Sequence, residues 1–96
     1  MIKSFASKGT EDLYNGIVSK KARKTPPEIW RVACRKLDML NAAVQLKDLK
    51  APPADRLEAL KGELRGKYSI RINDQYRVIF SFKDGNAHEV EIKDYH

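Results

Sequence analysis

The sequence predicts an α+β fold in which an N-terminal strand and two helices pack on one face of a mostly antiparallel sheet. Two observations carry that reading. Apolar residues recur at helical spacing from Ile29 to Val44, whereas from Tyr68 to Ile92 they alternate with polar ones. Between these regimes stands Ala51-Pro52-Pro53, where paired prolines withhold amide donors and hold the backbone extended. At 96 residues the chain is long enough for one core and too short to divide it, so residues 1–96 are read as a single domain.

The elements follow in order. Ile2-Lys3-Ser4-Phe5 alternates apolar with polar and reads as a short strand. After Gly9 and Thr10, Glu11-Asp12-Leu13-Tyr14 has the acidic first turn of a helix, which Gly16 weakens at its far end. Lys20-Lys21-Ala22-Arg23-Lys24 has no apolar stretch to bury and reads as an exposed connection, a solvated face in preference to an RNA contact. Thr25-Pro26-Pro27-Glu28 fits a capping box, with Pro26 at the first helical position. The helix beyond it turns Ile29, Trp30, Ala33, Cys34, Leu37, Leu40 and Val44 to a core, leaving Arg31, Arg35, Lys36 and Asp38 largely on the other face.

In the second half Tyr68, Ile70 and Ile72 share a strand face, as do Tyr76, Val78, Phe80 and Phe82 on the next strand. The turn Lys83-Asp84-Gly85-Asn86 leads into a third strand with Val90 and Ile92 inward, because Asp-Gly suits the tight turn of a hairpin.

Composition narrows the function. Nineteen Lys and Arg oppose thirteen Asp and Glu, a formal charge of +6 on a small body, which implies an anionic partner and nucleic acid first among them. Cys34 is the single cysteine, so neither an internal disulfide nor a zinc site of paired thiolates is available, as suits a reducing cytoplasm. No apolar run approaches a bilayer span, and the N-terminal residues lack a signal-peptide core, so neither membrane insertion nor export is expected.

Position sharpens the charge argument. A hairpin turning through Asn73-Asp74-Gln75 sets Ile72 opposite Tyr76 and Arg71 opposite Arg77 on the outer face. Like charges so paired are destabilising unless an anion sits between them, and a phosphate is the simplest such anion. Lys61, Arg65 and Lys67 approach the same strand through the glycine-bracketed segment from Gly62 to Gly66. Against this stands neutralisation by Glu63, Glu89 and Glu91.

The run LKGELRGKYSIRINDQYRVIF from Leu60 to Phe80, the terminal Asp94-Tyr95-His96 and the MIKSF opening together resemble the HigB-type toxins of the RelE superfamily over nearly the whole chain. The resemblance implies a RelE-like fold with messenger RNA on the concave face of a curved sheet, cleaved in the ribosomal A site. It further implies a HigA-type antitoxin with a helix-turn-helix domain. By the same resemblance Lys61 and Arg77 hold the scissile phosphate, and Asp94, Tyr95 and His96 form the C-terminal catalytic group. Several relatives carry histidine where this chain has Glu58, which leaves the division of acid and base roles open.

RNA cleavage without a metal requires a base near the ribose 2′-hydroxyl, an acid near the departing 5′-oxygen, and positive charge on the phosphorane. Glu58 and His96 are the candidate base and acid in either order. Lys61, Arg71 and Arg77 are the charge stabilisers, with Arg65 and Lys67 as further RNA contacts and Tyr95 as a stacking or positioning group. No cofactor or metal is expected, because the acidic residues are scattered and the histidines fall on a turn and at the terminus. His88 reads as a surface residue, and Cys34 as packing. The competing readings are a ParE-like inhibitor of DNA gyrase and a non-catalytic nucleic-acid-binding domain.

Overall fold

The computed structural model describes residues 1–50 and 55–94. Helices α1 (Lys8–Tyr14) and α2 (Trp30–Ala42) precede strands β1 (Glu58–Ala59), β2 (Tyr68–Arg71), β3 (Tyr76–Lys83) and β4 (Asn86–Asp94). The strands form an antiparallel sheet in sequence order. The N-terminal segment joins the outer edge of β4 in parallel, through bridges of Ile2 with Ala87 and Phe5 with Val90. Among the described residues no helix is long and apolar enough to cross a membrane.

Strand pairing follows from local chemistry. Asp84 and Gly85 both take positive φ, +53° and +78°, which gives the β3–β4 turn a twist matching that of its strands. Lys83 consequently pairs with Asn86. Further along, the register shifts between Ile79 and Ser81, with Glu89 at φ +52° on the facing strand. Such a bulge bends the ladder and increases its twist.

The helix layer departs from the sequence reading in four ways. α1 starts at Lys8, where the Ser7 hydroxyl accepts from the Thr10 amide at 3.2 Å, so the helix begins earlier than Glu11, which still lies in its first turn as expected. The capping box at Thr25 does not form. Pro26 precedes Pro27, is driven off the helical region to φ −53°, ψ 128°, and leaves a 3-10 turn before α2 starts at Trp30. The Thr25 carbonyl instead accepts from the Trp30 indole at 2.7 Å. Val44 lies beyond the end of α2 and is 68% exposed; Ala43 fills the core instead. Lys36, assigned to the solvent face, is buried against Asp55.

Leu37 and Leu40 of α2 and Leu13 of α1 meet Ile70, Val78, Phe80 and Val90 on the inner face of the sheet. Phe80 sits at the centre, with its ring centroid 6.2 Å from Tyr68 and 6.4 Å from Phe82. The predicted break at Ala51-Pro52-Pro53 lies outside the described residues; ahead of it a short turn from Leu46 to Leu49 follows α2.

Candidate active site

The opposite face of the sheet is assembled by register. Ser69 pairs with Ile79 on one side and Glu58 on the other, while Arg71 pairs with Arg77 and Arg77 with Lys93. Cross-strand partners share a face, so Glu58, Ser69, Arg71, Arg77 and Lys93 surround the buried Ile79.

Arg77 is the centre of this arrangement. Its residue is only 8% exposed. Nε donates to Ser69 Oγ at 2.7 Å, and Nη2 donates to the Arg56 carbonyl at 2.6 Å. Arg56 itself takes left-handed backbone, φ +46°, where that carbonyl meets the guanidinium. Hydrogen bonds from two different edges fix the guanidinium plane, and a planar fork so fixed suits a phosphate.

The segment carrying Arg56 and Glu58 is anchored from the helix side. Lys36 of α2 forms a buried ion pair with Asp55, immediately before Arg56. The second oxygen of that carboxylate, Oδ2, has no hydrogen-bond partner among the described residues. A buried pair of this kind holds two elements in register, because separating them strands a charge away from water.

A family model described as RelE-like toxin of the type II toxin–antitoxin system HigB matches residues 3–96. The chain belongs to that family. It is 42% identical to Toxin HigB-1 of Vibrio cholerae over 87 residues, 91% of this chain and 90% of the relative. It is 31% identical to Endoribonuclease HigB of Proteus vulgaris over the full length of both. The structure resembles a chain of the YoeB–YefM complex from Staphylococcus aureus with a TM-score of 0.61 at 18% identity, covering 100% of this chain and 98% of the other. The fold is therefore RelE-like, as the sequence predicts.

Around Arg77, this HigB-like toxin places the remaining sequence candidates unevenly. Glu58 is exposed on β1, one register step from the Ser69–Arg77 contact. Lys61 is exposed just past β1, at the start of the 3-10 turn from Gly62 to Leu64, and Arg65 is exposed where that turn ends. Gly62 and Gly66 take φ +66° and +94° with open space where a Cβ would project, so the turn's conformation demands them. Asp94 pairs with Tyr76 at the end of β4, and its Oδ2 accepts from Gln75 Nε2 at 2.9 Å. Tyr95 and His96 lie outside the described residues.

The opposed arginines are in the predicted register, and each also has a partner within the protein. Arg71 forms an ion pair with Asp74 in the hairpin turn, while Arg77 folds down onto Ser69. Lys67 pairs with Glu89 at 3.1 Å, the neutralisation weighed from the sequence. Among the described residues Glu63 and Glu91 form no such ion pair.

Sequence reasoning overlooked Ser69, Gln75 and Lys93. A signal was present for Ser69: a small hydroxyl residue in a strand of large ones, at a position whose cross-strand diagonal is an arginine. Cys34, half-buried with Sγ 3.7 Å from the Leu13 carbonyl, has its thiol pushed up by burial, which disfavours the nucleophilic thiolate. Among the described residues no three His, Cys, Asp or Glu side chains gather to hold a metal ion.

Proposed function

We propose that this endoribonuclease of the HigB toxin family, acting as a single domain over residues 1–96, cuts messenger RNA in the ribosomal A site without a metal ion. The observation that carries the reading is Arg77, held by Ser69 and the Arg56 carbonyl beside Glu58 on the outer sheet face. A guanidinium already oriented before substrate arrives stabilises the charge that develops on a phosphorane without reorganising at the moment of reaction.

In this mechanism the 2′-hydroxyl attacks the neighbouring phosphorus as Glu58 removes its proton. The P–O5′ bond breaks, leaving a 2′,3′-cyclic phosphate, and His96 returns a proton to the departing 5′-oxygen. Arg77, Lys61 and Arg71 balance the phosphorane charge. Tyr95 stacks on a base beside the cut, and Asp94, Arg65 and Lys67 position the strand. The toxin works in the cytoplasm, and a HigA-type antitoxin with a helix-turn-helix domain holds it inactive. That partnership is in keeping with the YoeB–YefM complex, whose toxin shares the fold.

The test is ribosome-bound message incubated with purified protein in EDTA. New 5′-hydroxyl ends are expected, and Arg77→Ala should lower their rate by about 10²–10³-fold, the usual loss when an oriented donor to a developing oxyanion is removed. Intact message together with blocked supercoiling by DNA gyrase would replace this reading with the ParE-like one.

A further inference from the structure

A cavity of about 440 Å³ opens between the start of α1, the turn through Lys21 and Lys24, and the end of β4. Four lysines, Lys8, Lys21, Lys24 and Lys93, are among the residues that line it. Lys8 is shared with Glu11 and Asp12 at 3.5 and 3.3 Å, but Lys21, Lys24 and Lys93 form no ion pair among the described residues. The cluster that reads from sequence as an exposed connection keeps its four basic residues exposed, as expected, but Lys21 and Lys24 border this cavity. Ala22 at its middle is fully buried, which ties this turn to the body of the protein.

The lining also offers hydroxyls. Ser7 and Thr10 accept from the amides of Thr10 and Ile92, at 3.2 and 2.9 Å, so each keeps its own proton to donate. Thr25 adds a third hydroxyl. Asp94 lies on the lining too, with Oδ2 engaged by Gln75. Several cations with convergent O–H donors form a site for a compact multivalent anion, in which lysine acts as a point charge.

Position identifies that anion. Tyr76 and Lys93 line the cavity, and these are the residue preceding Arg77 on β3 and the register partner of Arg77 on β4. The cavity thus adjoins the Arg77 site in sequence along β3 and in register across to β4.

We propose that the cavity bounded by Lys21, Lys24 and Lys93 binds a second phosphate of the RNA strand being cut, adjacent along the backbone to the one at Arg77. The assignment rests on the nuclease reading for the direction of the strand. It supplies grip and register at a point removed from the chemistry, so binding energy there aligns the scissile linkage.

The experiment compares two double variants of equal net charge: Lys21→Gln/Lys24→Gln inside the cavity, and Lys20→Gln/Arg23→Gln from the same segment but off its lining. Affinity for an uncleavable 2′-O-methyl RNA octamer is measured across a salt series. The cavity variant should bind several-fold more weakly, with its log–log salt slope reduced by about 0.7, the value for one phosphate contact on a single strand. The control variant should keep the parental slope. Equal losses in both variants overturn the proposal, since overall charge alone would then explain them. A defect on message-free ribosomes with none on the octamer also overturns it, by assigning the phosphate to ribosomal RNA. Should the cavity-specific loss persist in a protein that cuts no message, the site stands and the nuclease reading fails.

Discussion

Phe80 and Ile79 are consecutive on β3 and both are fully buried, yet they serve opposite faces of one sheet. Phe80 lies in the apolar cluster shared with α1 and α2, whereas Ile79 lies outside that cluster, opposite Ser69 and Glu91. On the inner face the neighbours are leucines, valines and rings. On the outer face the same strand carries a buried guanidinium, and the neighbouring strands add a buried serine and exposed charges. Alternation of side chains thus divides one strand between stability and chemistry, and substitutions a single residue apart should separate the two.

The largest effect is expected on the inner face. Phe80→Ala should destabilise the protein by about 3–5 kcal/mol through lost burial and a residual cavity, read as a fall in the denaturation midpoint. Cleavage should fall only in proportion to unfolded protein; a lower rate per folded molecule would show that the faces are coupled. Next comes the clamp between the layers. Lys36→Ala strands Asp55 and should cost about 3 kcal/mol or more, whereas Lys36→Met with Asp55→Leu should recover most of that loss. If the double variant recovers stability but not cleavage, the pair's role is to position Arg56 and Glu58.

Ser69→Ala should cost less stability, about 1–3 kcal/mol, because a buried N–H on Arg77 loses its acceptor. Its effect on cleavage per folded molecule should nonetheless exceed that of Phe80→Ala, and the reverse order would break the division between faces. The smallest effect belongs to Asp12, whose carboxylate is held below the usual range first by the Ser19 hydroxyl and then by Lys8. A lowered folded-state pKa adds stability above the unfolded value near 3.8 and loses it as the pH falls through the folded one. The deficit of Asp12→Asn should therefore be present at neutral pH and close as the pH falls below that value, read from thermal midpoints.

The sheet was the legible part of the sequence because its signals are local. A period of two fixes which residues share a face, and the turns at Asn73–Gln75 and Asp84–Gly85 fix the register. Arg71 consequently faces Arg77 as the sequence predicts. Their partners were not legible. Asp74 is one of several acids within reach of Arg71, and the Arg77 contacts to Ser69 and to the Arg56 carbonyl depend on folded backbone at another edge.

Lys36 failed for a similar reason. Helical periodicity puts it beside Arg35 on the polar side, and only the return of Asp55, nineteen residues later, makes burial of its ammonium tolerable. The absent capping box was a different kind of error. The spacing of Thr25 and Glu28 was right, but the restriction one proline places on another prevented a helix from starting there. For the site, Glu58, Arg71 and Arg77 converge on one face, while the resemblance, rather than any spacing, pointed to the roles assigned to Asp94, Tyr95 and His96.

The parallel seam between residues 2–6 and β4 has a temporal consequence. Lys3 and Ala6 donate to the carbonyls of Ala87 and Val90, while the amides of Ala87 and Val90 donate to Met1 and Ser4. Residues 2–6 thus wait for a strand far along the chain, and the hairpins of the sheet, whose pairings are short-range, can form before this segment docks. Until that seam closes, the outer edge of β4 keeps the Ala87 and Val90 amides and carbonyls open to other strands, so closing it is the long-range step that completes the sheet.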